Sequence, residues 1–338
     1  MPRPASFFCD NTLSVLVQAV RSTEPSMRRN VIIAAIALEA VAMAPSHNRR
    51  AVLSLPFAAA PVVPLAAVSA AAARPRRVLV AGASGRSGRE CVRALDGDER
   101  YTAVPLVRSL ERWRVAAAAA GLEATGRTVV EADVTAPPTL DRALKGIDDV
   151  ICDVGFVPTF DAEADRRAAL DVDRDGVVAL VEAAERAKLP GRFVLVSSLL
   201  AGEAAARDRT ASYRMLNGLG GVLDAKRAAE ARLRESPIDW TILRPGVFVD
   251  SPQGGLVVGA EDRFLATTAD ARGLDRVSCK SPFFASSGAV CGITRSQLGA
   301  ACVTALGDTG ASRRTLEIVA RPEAPQERPE ALTSTVVV

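Results

Sequence analysis

Gly82, Gly85 and Gly88 recur at intervals of three in the run Gly82-Ala83-Ser84-Gly85-Arg86-Ser87-Gly88. Glycines so placed permit a tight turn, let backbone approach a pyrophosphate, and leave the N–H groups of a following helix free to donate to phosphate oxygens. The flanks supply the context this chemistry needs: the apolar run 76–81 precedes the glycines, and Cys91, Val92 and Leu95 follow at helical spacing. Gly82, Ser84, Gly85, Arg86, Ser87 and Gly88 are therefore read as a phosphate cradle, with Arg86 a second phosphate contact. Twenty residues beyond Gly88, the run Pro105-Leu106-Val107 ends in Arg108. An acid there would hold both ribose hydroxyls of NAD. A guanidinium accommodates a 2′-phosphate, so the pattern favours NADP(H), with NAD the weaker alternative; the competing reading of Arg108 is one surface arginine among many. Asp133, followed by Val134, closes the next apolar run and would sit beside the adenine.

Other chemistries are excluded by what the chain lacks. The only histidine is His47, in a stretch distinct in texture from the rest. If that stretch is removed, no Ser-His-Asp or Cys-His pair, imidazole base or His-ligated metal is available. The six cysteines, at positions 9, 91, 152, 279, 291 and 302, include no CxxC pair and read as reduced, mostly buried thiols. Asp171-Val172-Asp173-Arg174-Asp175-Gly176 with Glu182 satisfies the calcium-loop pattern D-x-D-x-D-G-x₅-E. The flanking residues read better as one long crossover helix, and no second loop accompanies it, so no metal site is expected.

The net charge of +3 sits in residues 1–73, where six arginines face three acids, and the remainder is neutral. A neutral body argues against nucleic-acid binding. Residues 1–73 are acid-poor, with Arg and Ser and then runs of Ala, Val and Pro, as in organelle transit peptides. Arg49-Arg50, an uncharged segment, and the small residues Ser69 to Ala73 resemble a twin-arginine signal with its cleavage site. A chloroplast address follows, stroma or thylakoid lumen, with mitochondrion second and a compositionally biased leader the bland alternative. No transmembrane span is expected in the mature form.

From Arg74 onward, apolar runs at 76–81, 101–107, 128–131, 150–154, 193–196 and 240–243 alternate with helical stretches at 110–120, 140–145, 162–188 and 223–234. Strands alternating with helices predict an α/β fold, a Rossmann-type doubly wound parallel sheet with right-handed crossovers. The expected organisation is a leader over 1–73, a nucleotide-binding domain over 74–246, a small C-terminal substrate-side lobe over 247–321, and a mobile tail over 322–338.

The ordered set VLVAGASGRSG, LVRS, EADV, FVLVSS, LDAKRAAEARLRESPIDWTILRPG and ITRSQLGAACVTAL resembles the atypical short-chain dehydrogenase/reductases. Within them it is most similar to the NmrA-like branch and its plastid NAD(P)-binding members in plants and algae. The likeness covers about Arg76 to Ala320. It implies that Gly82, Gly85, Gly88, Arg108 and Asp133 hold the dinucleotide, that Ser198 ends the fifth strand beside the nicotinamide, and that Lys226 bonds the nicotinamide ribose. Pro245-Gly246 would turn the chain over the carboxamide. One departure matters: where the larger superfamily has Tyr-x-x-x-Lys, Val222 stands four residues before Lys226. Val222 has no proton to give. Tyr101 lies in a strand, which leaves Tyr213 as the sole candidate phenolic acid, with a substrate contact or plain packing as its alternatives.

Beyond Pro245 the alternation ends. Residues 247–293 are expected to wall a substrate, with Phe248, Phe264, Phe283 and Phe284 as candidate lining, and residues 269–291 look like an insertion carrying the possible redox pair Cys279 and Cys291. Two functions stay open. One is an NADP(H)-dependent oxidoreductase acting on a small carbonyl or enone, using Ser198, Lys226 and either Tyr213 or water. The other is a non-catalytic NADPH-binding redox sensor or assembly scaffold for a protein partner.

Overall fold

The computed structural model describes residues 74–123, 126–209, 211–251, 254–264, 292–321, 324 and 330–337. The leader with His47 and the twin arginines lies outside the described residues, as do Cys9, Cys279, Cys291, Phe283 and Phe284. Residues Ala73–Val338 form one compact unit. Its strands are β1 (Arg76–Ala81), β2 (Tyr101–Val107), β3 (Val130–Glu131), β4 (Asp149–Cys152), β5 (Arg192–Val196), β6 (Asp239–Pro245), β7 (Gly255–Ala260), β8 (Arg314–Arg321) and β9 (Val336–Val337). They join one sheet in the order β3-β2-β1-β4-β5-β6-β8-β7-β9. From β3 to β8 every pairing is parallel, and β7 runs antiparallel to β8.

Alternate residues of β1 show why the sheet is covered on both faces. Val78 and Val80 join Cys91, Val92 and Leu95 of α1 (Arg86–Asp96) and Leu298 and Cys302 of α9 (Arg295–Gly307). Leu79 and Ala81 join Val177, Leu180 and Val181 of α5 (Val177–Arg186) on the other face. Side chains alternate along a strand, so a strand apolar at every position needs helices on both faces. Between these lie α2 (Leu110–Ala119), α3 (Leu140–Ala143), α4 (Ala162–Ala168), α6 (Glu203–Asp208), α7 (Ala211–Asn217) and α8 (Val222–Glu235).

Several expectations need correcting. The 162–188 helix is one helical path, but its middle, Ala169–Gly176, is wound as π-helix between α4 and α5. The stretch after β5 carries α6 and α7, which lie outside the helical stretches read from the sequence. Residues 247–293 include β7, which extends the main sheet. The tail is anchored in its described part: Leu332 is buried, Thr333 donates through N and Oγ1 to the Asp308 carboxylate, and β9 pairs with β7. The described cysteines, Cys91, Cys152 and Cys302, are buried and unbridged. A hydrogen bond with Cys302 and then burial push the Cys91 thiol well above its ordinary value, which keeps it protonated.

Candidate functional site

The glycine run connects β1 to α1 as the spacing predicted. Gly82 has φ +83°, and a Cβ there would overlap the carbonyl of Asp153. On Gly88 a Cβ would overlap the carbonyl of Gly82, so the first turn of α1 rests directly on the loop. Gly85 N donates to Gly82 O at 2.9 Å and begins α1 with no side-chain cap. The free N–H groups of that turn, approached over bare backbone, fit a dinucleotide pyrophosphate. Ser84 and Ser87 are half-buried at this edge and Arg86 is exposed.

Because β1 and β2 are parallel and in register, with Ala81 opposite Leu106, Arg108 emerges at the level of the glycine loop. It is exposed and makes no ion pair among the described residues. Ser109 follows it and caps α2 by accepting from Arg112 N at 3.3 Å. Asp133 leaves the end of β3, and its Oδ1 accepts from Thr135 N and Oγ1, both at 2.9 Å. Val134 is buried against the bare Cα of Gly176. Its side chain therefore packs the core, and only its backbone can face a ligand.

Lys226 projects from α8 and is largely buried, with Nζ 3.0 Å from Asp173 Oδ1. Burial would lower its ammonium, but the Asp173 carboxylate, with Asp153 behind it, holds it above its ordinary value. Asp173 lies in the π-helical segment, and its Oδ2 accepts from Phe156 N at 2.9 Å, so it ties Lys226 to the chain leaving β4. Asp153 is first in that chain, with its N donating to Ala81 O at 2.9 Å. Burial pushes the Asp153 carboxyl up to about 7, against the pull of Lys226 and Arg295. Ser198 follows β5 in extended conformation with no side-chain capping bond. Pro245 ends β6, and Gly246 N donates to Ile318 O at 2.9 Å. One turn beyond Lys226, buried Glu230 accepts from Arg244 Nε at 3.1 Å and Nη2 at 2.7 Å. That pair locks α8 against the end of β6 and fixes the rotation of α8 that presents Lys226.

Asp153, Asp173 and the Glu230–Arg244 pair were not assigned from sequence. The only signal was Asp173 itself, which appeared as part of a calcium pattern. Asp171 to Gly176 are helical, and Asp173 is spent on Lys226 and Phe156, so the residues do not form a twelve-residue oxygen-ligand loop. Tyr213 is placed apart from the other candidates. It lies on α7 at 2% exposure, packed with Ala205 and Leu223, and donates to Asp224 Oδ1 at 2.6 Å. Asp224 and Lys226 are two residues apart on one helix, about 200° around its axis, so the phenol and the ammonium lie on different faces of α8. Val222 opens α8 and packs with the Tyr213 cluster.

Residues 82–272 match a family described as NAD(P)H-binding. An uncharacterized chloroplastic protein of Arabidopsis thaliana is 31% identical over 269 residues, covering 78% of this chain and 84% of that one. The photosystem II assembly factor Ycf39 of Synechocystis is 34% identical over 173 residues, covering 51% of this chain and 45% of the factor. Among solved structures, an oxidoreductase from Lactococcus lactis superposes with TM-score 0.55 at 19% identity, over 76% of this chain and 95% of its own, which shows the shared fold. With that match over more than half of its length, and with the glycine loop standing where a Rossmann-type sheet requires it, the chain belongs to the NAD(P)H-binding family.

Proposed function

We propose that this protein is a plastid NADP(H)-dependent reductase of the short-chain dehydrogenase/reductase type, acting on a small enone or quinone-like carbonyl. The observation that carries the reading is the arrangement at one sheet edge: the glycine loop, Arg108, without an ion pair among the described residues, and Ser198 follow the carboxyl ends of β1, β2 and β5, and the Lys226–Asp173 pair is tied to the chain leaving β4, on the edge where ligands of such sheets bind. Bound NADPH would supply the hydride. Gly82, Gly85 and Gly88 would cradle the pyrophosphate, Arg108 would fork onto the 2′-phosphate, and Asp133 and the Val134 backbone would border the adenine. Lys226, held by Asp173, would bond the nicotinamide ribose, and Pro245-Gly246 would turn the chain over the carboxamide. Ser198 donates to the substrate oxygen as negative charge develops on it. With Val222 at the usual tyrosine position and the Tyr213 hydroxyl on Asp224, the proton comes from water. That favours acceptors whose reduced form is a stabilised enolate or phenolate.

A second reading, an NADPH-responsive binding module without turnover, is favoured by those same placements of Val222 and Tyr213. A relative bears the name of an assembly factor, which agrees with it. The plastid assignment rests on residues 1–73 and on the chloroplastic Arabidopsis relative; a fluorescent fusion of that leader remaining in the cytosol would remove it. NADPH and NADH affinities of the full chain test the cofactor. Arg108→Asp is expected to weaken NADPH about 10- to 100-fold, with little effect on NADH. A wild-type preference for NADH, or an NADPH preference surviving that change, overturns the assignment. NADPH oxidation with a panel of quinones and enones then separates the readings, since binding without oxidation of any acceptor leaves only the second.

A further inference from the structure

α1 and α9 are adjacent helices that both begin at the carboxyl edge of the sheet, and each begins with an arginine, Arg86 and Arg295. They pack so closely that a Cβ on Gly299 would meet Glu90 O at 2.5 Å. Neither helix carries an acidic residue in its first turn. A cation at a helix N-terminus opposes the macrodipole, and here two such ends, each with its own arginine, stand side by side. Burial and then repulsion from Arg86 lower the Arg295 guanidinium below its ordinary value. Two carboxylates face this charge: Asp153, beside the glycine loop, pulls on Arg295, and Asp250 lies within ion-pair reach of both arginines. Asp250 Oδ1 lies 3.3 Å from Arg86 Nη2 and 3.7 Å from Arg295 Nη1.

The two arginines are held differently. The Arg295 side chain is 21% exposed, with its guanidinium 4.8 Å from the Phe248 ring centroid. Thr294 and Gln297 form a capping box beneath it, and Gln297 Nε2 donates to Gly254 O at 2.7 Å. Phe248 is itself paired with Ile293 across a parallel bridge. Arg295 is therefore a built feature of the fold. Asp250, by contrast, has a side chain 88% exposed, and Arg86 is 67% exposed. Pairs this open to water contribute little and exchange readily. All three residues line a groove of about 510 Å³ that runs from Arg86 along α1 past Arg89 and Arg93.

We propose that Arg295 is a second arginine of the dinucleotide site, closing with Arg86 on the pyrophosphate from the C-terminal part of the chain, and that Asp250 is the counter-ion displaced when the phosphates enter. A doubly charged pyrophosphate accepts both guanidiniums and the α1 N–H groups together, which the single Asp250 carboxylate cannot do. This rests on the family's dinucleotide binding but on neither NADP preference nor turnover.

Calorimetric titration of the full chain with NADPH and NADH tests it. Arg295→Ala is expected to weaken both dinucleotides by a similar factor, about tenfold, and Arg295→Lys by less, because it keeps the charge and loses the fork. Asp250→Asn is expected to tighten both about two- to threefold by removing the competitor. Loss confined to NADPH would place Arg295 on the 2′-phosphate and overturn the proposal. Unchanged affinity in a folded Arg295→Ala overturns it as well. Should Arg295→Ala fail to fold, Asp250→Asn decides alone, since a carboxylate that braces the two arginines would on removal weaken binding. If the wild-type chain binds neither dinucleotide, the family reading falls first and this one with it; if it binds both and the variants match it, only this one falls.

Discussion

The glycine-loop side of the cleft is made of backbone, and the Lys226 side is made of side chains. On the first, two turns of chain from one sequence segment set the geometry, and three missing Cβ atoms create the space. On the second, Lys226 from α8, Asp173 from the π-helical segment and Asp153 beyond β4 are brought together across more than seventy residues. The backbone side tolerates little change, because a Cβ on Gly82 or Gly88 would overlap backbone, and in the proposed complex a phosphate would approach it without an intervening side chain. The side-chain side can be altered one group at a time, and at Val222 this chain presents an apolar residue where relatives in the larger superfamily would place a phenol. Binding and chemistry are thus separable, and variants on each side should show it.

Gly88→Ala should have the largest effect. Its Cβ would overlap the Gly82 carbonyl and come within 2.9 Å of the Ala83 Cα, so α1 must move off the loop. We expect destabilisation of about 2–4 kcal/mol in urea unfolding and loss of dinucleotide affinity beyond about 100-fold. Wild-type affinity in this variant would show that the phosphate does not rest on this backbone. Asp173→Asn probes the other side. It leaves the buried Lys226 ammonium without its nearest counter-charge, at a cost of about 1–3 kcal/mol. The adenosine fragment 2′,5′-ADP should bind as before while NADPH binds less tightly. An equal loss for both ligands would mean that the two sides are one unit.

Asp153 stands where the two sides meet, and its titration is a smaller effect with a definite sign. Burial raises its carboxyl from 3.8 to about 7, so the folded chain holds that proton more tightly than the unfolded chain does. Stability is then full at acid pH and falls as pH rises from about 4 through 7. Glu317, raised by burial to about 7, adds a slope of the same sign. Asp153→Asn should flatten the profile by on the order of 1 kcal/mol between pH 5 and 8 while leaving the Glu317 contribution. An unchanged slope would show that Asp153 is already solvated in the folded chain.

The difference between the sides also explains what could be read before folding. The glycine loop and Arg108 are twenty residues apart and each carries its meaning locally, one through missing Cβ atoms and one through position at a strand end. Most of the parallel sheet from β1 to β6 was legible for the same reason, since its buried strands contain short apolar runs such as Val78–Ala81, Val150–Cys152 and Phe193–Val196. Lys226 and Asp173 are 53 positions apart, and nothing in either neighbourhood names the other. Asp173 instead satisfied a calcium pattern, because alternate acids followed by glycine occur in a helical segment as easily as in a loop. α6 and α7 are six and seven residues long, too short for a clear helical period. β7 is half glycine and small side chains at its ends, and only its register with β8 makes it a strand. Where a position is fixed by distant packing, local pattern has little to say.

Tyr213 gives the smallest effect and the sharpest division between the sides. Its hydroxyl is one of several donors to Asp224, which also receives Asn217 Nδ2 at 2.8 Å and Arg227 Nη2 at 2.7 Å. Burial, and then the bond to Asp224, raise the phenol above its ordinary value, the opposite of the lowering that a lysine-paired catalytic tyrosine needs. Tyr213→Phe leaves the ring in its pocket and the carboxylate with two donors, so the expected loss is about 1 kcal/mol of stability. NADPH affinity and any quinone or enone reduction should stay within about twofold of wild type, since the hydroxyl and Lys226 occupy faces of α8 about 200° apart. A reduction rate falling more than about tenfold at unchanged affinity would mean that α7 swings its phenol into the cleft during turnover, and water would no longer serve as the proton source.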